Sequence, residues 1–151
     1  MSRRLHPPAG SPVIELHMVG RLEQIPHVAE QVESFGAAHG LSSRVLHDLQ
    51  VSLDEVLSNI VKYAYTDARE HRIRVRVWIA PSQVVAEIID DGRPFDPLAP
   101  LHPLRKTARD RALGGGLGIY FLRSLVDDLH YERAGLKNRL VMRKALGAQL
   151  E

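Results

Sequence analysis

HRIRVRVWIA, residues 71–80, alternates polar and apolar side chains more regularly than any other segment of the chain. Because successive side chains of a strand point to opposite faces of the sheet, this segment predicts a strand with one apolar and one basic face. The apolar face carries Ile73, Val75, Val77 and Ile79, and the opposite face carries Arg72, Arg74, Arg76 and Trp78. One buried face and one solvated face are typical of an antiparallel sheet that helices cover on one side only.

Patterns on both sides of this strand predict the other elements, and their order indicates the fold class. Periodic apolar residues predict helices, and alternation predicts strands. In chain order we expect a strand at 13–19, helices at 22–39 and 43–66, strands at 71–80 and 83–89, a helix at 119–125, and strands at 128–133 and 139–144. Residues 93–113 contain four prolines and no sustained period, which predicts a long loop. This order predicts an α/β two-layer sandwich, with a mixed, mainly antiparallel sheet and helices on one face.

Length and composition agree with one soluble domain. The 151 residues are 44% hydrophobic and 25% charged, as in average globular proteins. No apolar run approaches the roughly 20 residues needed to span a bilayer, so we expect a cytoplasmic protein without membrane contact. We expect residues 1–12 to be a flexible leader, residues 13–145 the folded domain, and residues 146–151 a C-terminal tail.

Several function classes are excluded or disfavoured by composition. The chain has no cysteine, which excludes a disulfide scaffold, a thiolate metal site and a cysteine nucleophile. The formal net charge is +2 and aromatic residues make up 5%, whereas nucleic-acid binders more often carry a basic stripe with interleaved aromatics. Direct nucleic-acid binding is therefore not expected, although the arginine-rich strand face keeps it as a weaker alternative.

A first candidate site lies on the long helix. Glu55 and Asn59 are four residues apart, so their side chains lie one helical turn apart on the same side. A carboxylate and an amide at the edge of the core suit a general base and a ligand for Mg²⁺, which prefers oxygen donors. Taken alone, the pair is better explained as two polar residues at the solvent boundary of a helix, because such pairs are common.

A second candidate site lies at the end of the returning strand, in IIDDGRPF. Alternation places Asp90 on the face of Val84 and Ile88, whereas Asp91 shares the more polar face of Glu87. Asp90 is therefore expected to point towards the helices, where a carboxylate must find a donor or a ligand. It could accept a hydrogen bond from an exocyclic amine such as that of adenine. A simple Asp-Asp-Gly turn is the alternative interpretation.

A third candidate site is LGGGLGIYFL, in which glycines lead directly into a helix. Glycines let the backbone approach a ligand closely, and a helix N-terminus offers free N–H groups to phosphate. The segment lacks the Gly-Lys-Ser/Thr of a Walker A loop and the last glycine of the dinucleotide fingerprint. A flexible hinge remains the alternative. The basic residues just before these glycines could close over a polyphosphate or could simply be solvated; they are Arg105, Lys106, Arg109 and Arg111.

The order and separation of these motifs resemble those of a known superfamily. LDEVLSNIVKYAY, DDGRPFDP and GGGLGIYFLRSLVDDLHYER are similar to the motifs of the Bergerat ATP-binding fold of the GHKL superfamily. Within it, the chain looks most like the anti-sigma-factor serine kinases of bacterial partner-switching systems. The resemblance covers about residues 13–145, which implies that this region is a histidine-kinase-like ATPase domain with the Bergerat fold.

The resemblance implies roles for individual residues. Glu55 would be the general base for the acceptor hydroxyl, and Asn59 would bind Mg²⁺ and, through it, the phosphates of ATP. Asp90 would accept the adenine amino group, and Gly92 would let the base lie close to the backbone. The remaining nucleotide-binding residues would be Gly114, Gly116, Gly118 and Lys106, with residues 96–113 forming a lid over ATP.

The resemblance also implies an activity and partners. The expected function is an ATP-dependent protein serine/threonine kinase that is also an anti-sigma regulatory factor. It would phosphorylate a small anti-sigma-factor antagonist, bind a sigma factor or similar regulator, and form a homodimer. The alternative is a nucleotide-binding interaction module without phosphotransfer. The presence of Glu55 argues against this alternative, because a protein that only binds nucleotide needs no base.

Overall fold

In the computed structural model, residues 6–94 and 118–147 are described. The strands are β1 (Val13–Val19), β2 (Arg72–Ile79), β3 (Gln83–Asp90), β4 (Asp128–Ala134) and β5 (Lys137–Ala145). The helices are α1 (Ile25–Ala38), α2 (Ser43–Asn59) and α3 (Gly118–Leu125). A short 3₁₀ turn, Leu22–Gln24, precedes α1, and a π-helical turn, Ile60–Ala64, continues α2. The predicted order of elements is confirmed.

The five strands form one sheet in the order β1-β2-β3-β5-β4, and every pair in it is antiparallel. Thus the mainly antiparallel sheet expected from sequence has no parallel pair among the described strands. The register places Asp90 of β3 directly opposite Asn138 of β5. Residues opposite each other across an antiparallel pair project on the same face, so these two side chains meet.

The helices pack on one face of the sheet and bury a continuous apolar core there. This core joins α1, α2 and α3 to the inward side chains of the strands, as in a two-layer sandwich. Its members from α2 and the π-helical turn are Val45, Leu46, Leu49, Leu53, Val56, Leu57, Ile60 and Ala64. The helical apolar face expected from sequence is therefore confirmed, with Val61 only partly buried at its edge.

The second helix differs from its predicted span at one end. Its start is as expected, because the Ser42 hydroxyl accepts a hydrogen bond from the Val45 N–H at 3.2 Å. Regular α-helix stops at Asn59, and the last turn is π-helical up to Ala64. Isolated π-helical turns within α-helices often occur at functional sites, and this one directly follows the candidate residue Asn59.

The outer face of the sheet is less solvated than the sequence predicts. Trp78 was expected on the wet face, yet it is only 2% exposed and clusters with Val85 and Val141. The Arg76 guanidinium lies 5.0 Å from the centre of the indole ring, close enough for a cation–π contact. The long arginine side chain shields an aromatic ring that simple alternation would leave exposed.

Beside this cluster, the outer face carries a buried carboxylate with two arginines. Glu87 is 3% exposed, and its Oε1 accepts from Arg76 Nε at 3.1 Å. Its Oε2 accepts from Arg139 Nε at 2.7 Å. Arg139 also contacts Glu132 at 3.1 Å. The charge of Glu87 is therefore matched on both carboxylate oxygens, as burial of an ion requires.

Some sequence predictions fall outside the described residues. These are the first part of the leader (1–5), the proposed lid (96–113), Gly114, Gly116, Lys106, and the end of the tail (148–151). Within the ranges that are described, no helix is both long enough and apolar enough to cross a membrane.

Candidate active site

The last turns of α2 bring Glu55 and Asn59 together. Asn59 Nδ2 donates to Glu55 Oε1 at 3.3 Å, which is the contact that four-residue spacing on a helix predicts. Both side chains are intermediate in burial, so they can be reached from solvent at the edge of the core. Because the amide nitrogen of Asn59 faces Glu55, its carbonyl oxygen remains for another ligand.

Asp90, at the end of β3, points into the space between the sheet and the helices, as its alternation predicts. It is 4% exposed, and burial raises the pKa of its carboxyl group above the ordinary value. Hydrogen bonds from Asn138 and from the Gly92 N–H act in the opposite direction. The two donors thus offset part of the cost of burying this carboxylate.

Both of these hydrogen bonds use the same oxygen of Asp90. Gly92 N–H donates to Oδ1 at 2.8 Å, and Asn138 Nδ2 donates to Oδ1 at 3.0 Å. Oδ2 of Asp90 accepts no hydrogen bond within the described residues. It is also not fully buried, since the Tyr65 hydroxyl is the only fully buried polar side-chain atom there that lacks a partner. The carboxylate is thus held by one oxygen, and Asp90 also lines the neighbouring cavity.

Asn138 is a buried polar residue that the sequence analysis missed. It is 4% exposed, and its Nδ2 donates both to Asp90 and to the Arg93 carbonyl, the latter at 2.8 Å. Its Oδ1 accepts from the Tyr131 hydroxyl at 2.5 Å and from Arg133 Nη1 at 3.2 Å. Asn138 could have been found only from the register of β3 against β5, and a single sequence does not show that these two strands pair.

Arg133 supports the turn that follows Asp90. Its Nη1 donates to the Gly92 carbonyl at 2.7 Å, while the same nitrogen reaches Asn138. The side chain therefore extends from β4 across β5 to hold the turn, and its positive charge lies near the Asp90 carboxylate. Sequence alone gave no reason to select this arginine among the many on the sheet.

The turn is also docked against the π-helical end of the second helix. Arg93 N–H donates to the Ala64 carbonyl at 2.9 Å, and Arg93 Nε donates to the Tyr63 carbonyl at 2.8 Å. These carbonyls belong to the last helical turn, whose acceptors have no partner within the helix. The turn therefore supplies the donors that end the helix, which fixes the Asp90 segment relative to Asn59.

Gly92 is required at this turn by packing within the protein. A Cβ atom at Gly92 would lie 2.6 Å from the Ala64 Cβ and 2.7 Å from the Ala64 carbonyl oxygen. The expectation from sequence was that Gly92 leaves room for a base beside the backbone. The close neighbour found here is Ala64 instead, so the glycine lets the turn approach the helix, and its contact with a base stays a prediction.

One small cavity joins the residues that sequence placed in separate motifs. It has a volume of about 20 Å³, enough for a water molecule. Its lining comes from both layers of the sandwich and comprises Val56, Asn59, Ile60, Ala64, Asp90, Leu122, Tyr131, Asn138 and Leu140. The predicted metal ligand Asn59 and the predicted base acceptor Asp90 therefore face one apolar space with a few polar groups, as ligand sites usually do.

Of the predicted phosphate-binding glycines, one lies within the described residues. Gly118 is the first residue of α3, so the expected helix after the glycines is confirmed. Leu122 of α3 lines the same cavity as Asn59 and Asp90. Gly114, Gly116 and Lys106 lie outside the described residues, and their contacts with phosphate stay predictions.

A cluster of side chains around His71 lies beside the Asp90 turn. His71 Nε2 is 2.6 Å from Asp67 Oδ1, and its Nδ1 is 3.0 Å from Asp91 Oδ1. The Tyr65 ring stacks on the imidazole with centroids 4.1 Å apart. The hydrogen bond to Asp67 raises the pKa of His71, burial opposes it, and the hydrogen bond to Asp91 adds to the increase. Sequence analysis assigned no role to His71.

The arrangement brings three chemical capacities together: Asn59 and Asp90 line one cavity, and Glu55 contacts Asn59 beside it. Glu55 supplies a carboxylate at the solvent edge, Asn59 an amide oxygen of the kind that Mg²⁺ prefers, and Asp90 an acceptor in an apolar setting. An acceptor of this kind recognises an exocyclic amine, and a carboxylate with an oxygen ligand beside it suits phosphoryl transfer.

Comparison with known proteins agrees with the fold described above. The sequence profile of the histidine kinase-like ATPase domain matches residues 18–144. The serine/threonine-protein kinase BtrW of Bordetella bronchiseptica is 31% identical over 101 residues, which are 67% of this chain and 71% of BtrW. The serine-protein kinase RsbW of Bacillus subtilis is 21% identical over 128 residues, covering 79% of this chain and 77% of RsbW.

A solved structure shows the same fold. The crystal structure of the RsbU and RsbW domains of a Mycobacterium tuberculosis protein matches with a TM-score of 0.60 and 14% sequence identity. The match covers 88% of this chain but only 32% of the longer solved chain. The profile match, the relatives and the shared two-layer fold lead to one conclusion: this chain belongs to the histidine kinase-like ATPase domain family.

Proposed function

We propose that this protein is an ATP-dependent protein serine/threonine kinase that also acts as an anti-sigma regulatory factor. The observation that carries the proposal is the convergence of Glu55, Asn59 and Asp90 around one end of α2 and β3. The names of the relatives BtrW and RsbW, both protein kinases acting on serine or threonine, support it. The substrate is a small antagonist protein with an acceptor hydroxyl.

Each of the three residues has a distinct task in this proposal. Asp90 accepts the adenine amine through Oδ2, since Oδ1 is already occupied. Asn59 offers its carbonyl oxygen to Mg²⁺, which supplies neutralisation of phosphate charge when bound. Glu55 accepts the proton of the acceptor hydroxyl, and its contact with the Asn59 amide keeps the carboxylate beside the metal ligand. Gly114, Gly116, Gly118 and Lys106 contact the phosphates.

The proposal extends to partners and location. The kinase works in the cytoplasm as a homodimer, binds a sigma factor or similar regulator, and releases it when the antagonist competes. The resemblance of the sequence motifs to those of anti-sigma-factor serine kinases supports this partner-switching role. Neither nucleic acid nor membrane takes part directly.

Removing the proposed base tests the enzyme against the alternative of a nucleotide-binding module. We expect Glu55→Gln to lower phosphotransfer to an antagonist by about 100-fold or more, because general-base catalysis typically contributes that much. Binding of Mg-ATP, measured by calorimetry, should change little. Asp54→Asn is the matched control, since Asp54 is the adjacent carboxylate on the exposed side of the helix.

The two measurements separate the possible failures. Undiminished transfer by Glu55→Gln would remove Glu55 from the mechanism. Tight Mg-ATP binding by the wild type without transfer to any antagonist would favour the interaction module. Absence of nucleotide binding by folded wild-type protein would overturn the proposal itself.

A further inference from the structure

The side chain of Asn138 is fixed by hydrogen bonds to five residues, and these determine how it faces Asp90. Its carbonyl oxygen accepts from the Tyr131 hydroxyl and from Arg133. Only the amide nitrogen can therefore face β3, where it donates to Asp90 Oδ1 and to the Arg93 carbonyl. An inverted amide would place its oxygen against a carboxylate and a carbonyl and its NH2 group against Arg133, which can only donate, so it could keep a hydrogen bond only to the Tyr131 hydroxyl.

The fixed amide in turn fixes the Asp90 carboxylate. Asn138 and the Gly92 N–H both donate to Oδ1, and with one oxygen held from two directions the carboxylate cannot rotate freely. Its other oxygen is then the acceptor offered to the cavity that Asp90 and Asn138 both line. Without the amide, only the Gly92 N–H would remain to orient the group.

We propose that Asn138 is a positioning residue that sets the preference of this site for a 6-amino purine over a 6-oxo purine. The inference rests on the proposed nucleotide-binding function. A carboxylate oxygen with no proton accepts from the amino group of adenine but repels the carbonyl oxygen of hypoxanthine. Orientation of Asp90 by Asn138 makes this discrimination strong, since a site with a fixed acceptor penalises a ligand that cannot donate to it.

The hydrogen bonds of the Asn138 amide group explain why Asn138 need not touch the base. Both hydrogens of the Asn138 amide are used by Asp90 and Arg93, so none is left for a ligand. Asn138 acts through the carboxylate and through the turn that follows it. Its effect should therefore appear in the ratio of two affinities and not only in the affinity itself.

The experiment compares Mg-ADP with Mg-IDP, which carry an amino group and an oxo group respectively at purine position 6 and otherwise differ only in the proton that the oxo form carries on N1. Calorimetry on the full chain gives the ratio of the two dissociation constants for the wild type and for Asn138→Ala. We expect the variant to lose about tenfold or more in ADP affinity, the effect of a weakened hydrogen bond to a charged group. IDP affinity should change far less, so the ratio should fall towards one.

Two further variants control for structural damage. Lys144→Ala removes an ion pair with Asp48 (3.0 Å) that also joins β5 to the helix layer, away from the cavity lining. It should leave the ratio as in the wild type. Tyr131→Phe keeps the Asn138 amide but removes one donor to its oxygen, so it should lower the ratio by a smaller factor. It carries the test if Asn138→Ala does not fold.

The outcomes separate this inference from the function on which it rests. Equal losses for ADP and IDP in Asn138→Ala, or an unchanged ratio in both cavity variants, would overturn the positioning role. A wild type that binds the two nucleotides equally would overturn it as well. A wild type that binds neither nucleotide would instead overturn the proposed function.

Discussion

Strand β3 carries two buried carboxylates, and their hydrogen-bonding partners differ in charge. Glu87 faces the outer side, is 3% exposed, and contacts the guanidinium groups of Arg76 and Arg139. Asp90 faces the helices, is 4% exposed, and accepts hydrogen bonds only from neutral donors within the described ranges. Equal burial three residues apart therefore comes with full charge compensation in one case and partial compensation in the other.

This difference separates a carboxylate whose charge the protein compensates from one that is left open to a ligand. A buried ion with two cationic partners has its electrostatic requirement met by the protein, and removal of either side is costly. A buried carboxylate held by neutral donors, with one oxygen left over, remains able to bind something else. Burial alone would have ranked the two residues equally, whereas their partners distinguish them.

The largest effect is expected when the compensated carboxylate is removed. Glu87→Ala should lower the free energy of unfolding by about 3 kcal/mol, because two largely buried arginines lose the buried carboxylate that they share. Urea denaturation measures this change. The matched control is Glu15→Ala, since Glu15 pairs with Arg74 on the same sheet face but both are more exposed, and such pairs contribute about 1 kcal/mol or less.

Nucleotide selectivity tests whether Glu87 is purely structural. The ratio of ADP to IDP affinity should be the same in Glu87→Ala and in the wild type at a temperature where both are folded. A reduced ratio would show that the outer network also orients Asp90, and the contrast between the two carboxylates would then fail.

The next effect concerns the partly compensated carboxylate. Asp90→Asn should lower ADP affinity by about 10- to 100-fold, the contribution of a hydrogen bond to a charged group. The protein should remain at least as stable, because burial raises the pKa of Asp90 and so disfavours the charge that the substitution removes. Calorimetric titration and thermal melting measure the two quantities.

The adjacent residue provides the control for this substitution. Asp91→Asn changes the same charge one position later, on a side chain that is 49% exposed, and should leave ADP affinity nearly unchanged. Full ADP affinity in Asp90→Asn would contradict the assignment of Asp90 as the acceptor of the base.

The smallest effect concerns the cluster around His71, which includes Asp91, a third and more exposed carboxylate. The pKa of His71 is raised in the folded state, so its stabilising contribution is complete below its ordinary value of 6.5 and is lost as pH rises through the raised value. The pKa of Asp67 is lowered, so its contribution is lost only in acid. The cluster should stabilise the protein most between these limits.

Melting temperatures at two pH values measure this contribution. Between about pH 5.5 and pH 8.5, His71→Gln should reduce the pH dependence of the melting temperature by about 1–2 °C, as expected for a partly exposed pair. His47→Gln, at an exposed helix position, should not alter it. Identical pH profiles for His71→Gln and the wild type would exclude a stabilising ion pair at this turn.

Much of the fold could be predicted because its signals are local. The alternation of residues 71–80 and the apolar period of residues 43–66 each depend on neighbours in sequence, and both were confirmed. The orientation of Asp90 followed from counting along one strand. The burial of Trp78 could not be predicted in this way, because its cover is the side chain of Arg76 and two residues from neighbouring strands.

The candidate site was predictable only where one segment carries the geometry. Glu55 and Asn59 meet because they are one helical turn apart. Asn138, Tyr131 and Arg133 act on Asp90 from strands that lie more than 40 residues away in sequence, and their contacts depend on the register of β5 against β3. Single-sequence patterns contain no information on that register.

The contact between Gly92 and Ala64 restricts which residues positions 64 and 92 can hold. A Cβ atom added at Gly92 would overlap with the Ala64 Cβ at 2.6 Å and with the Ala64 carbonyl oxygen at 2.7 Å. Because the carbonyl belongs to the backbone, a smaller residue at position 64 cannot make room for a larger one at position 92. A randomised library selected for nucleotide binding should therefore retain glycine at position 92 and contain few residues larger than alanine at position 64.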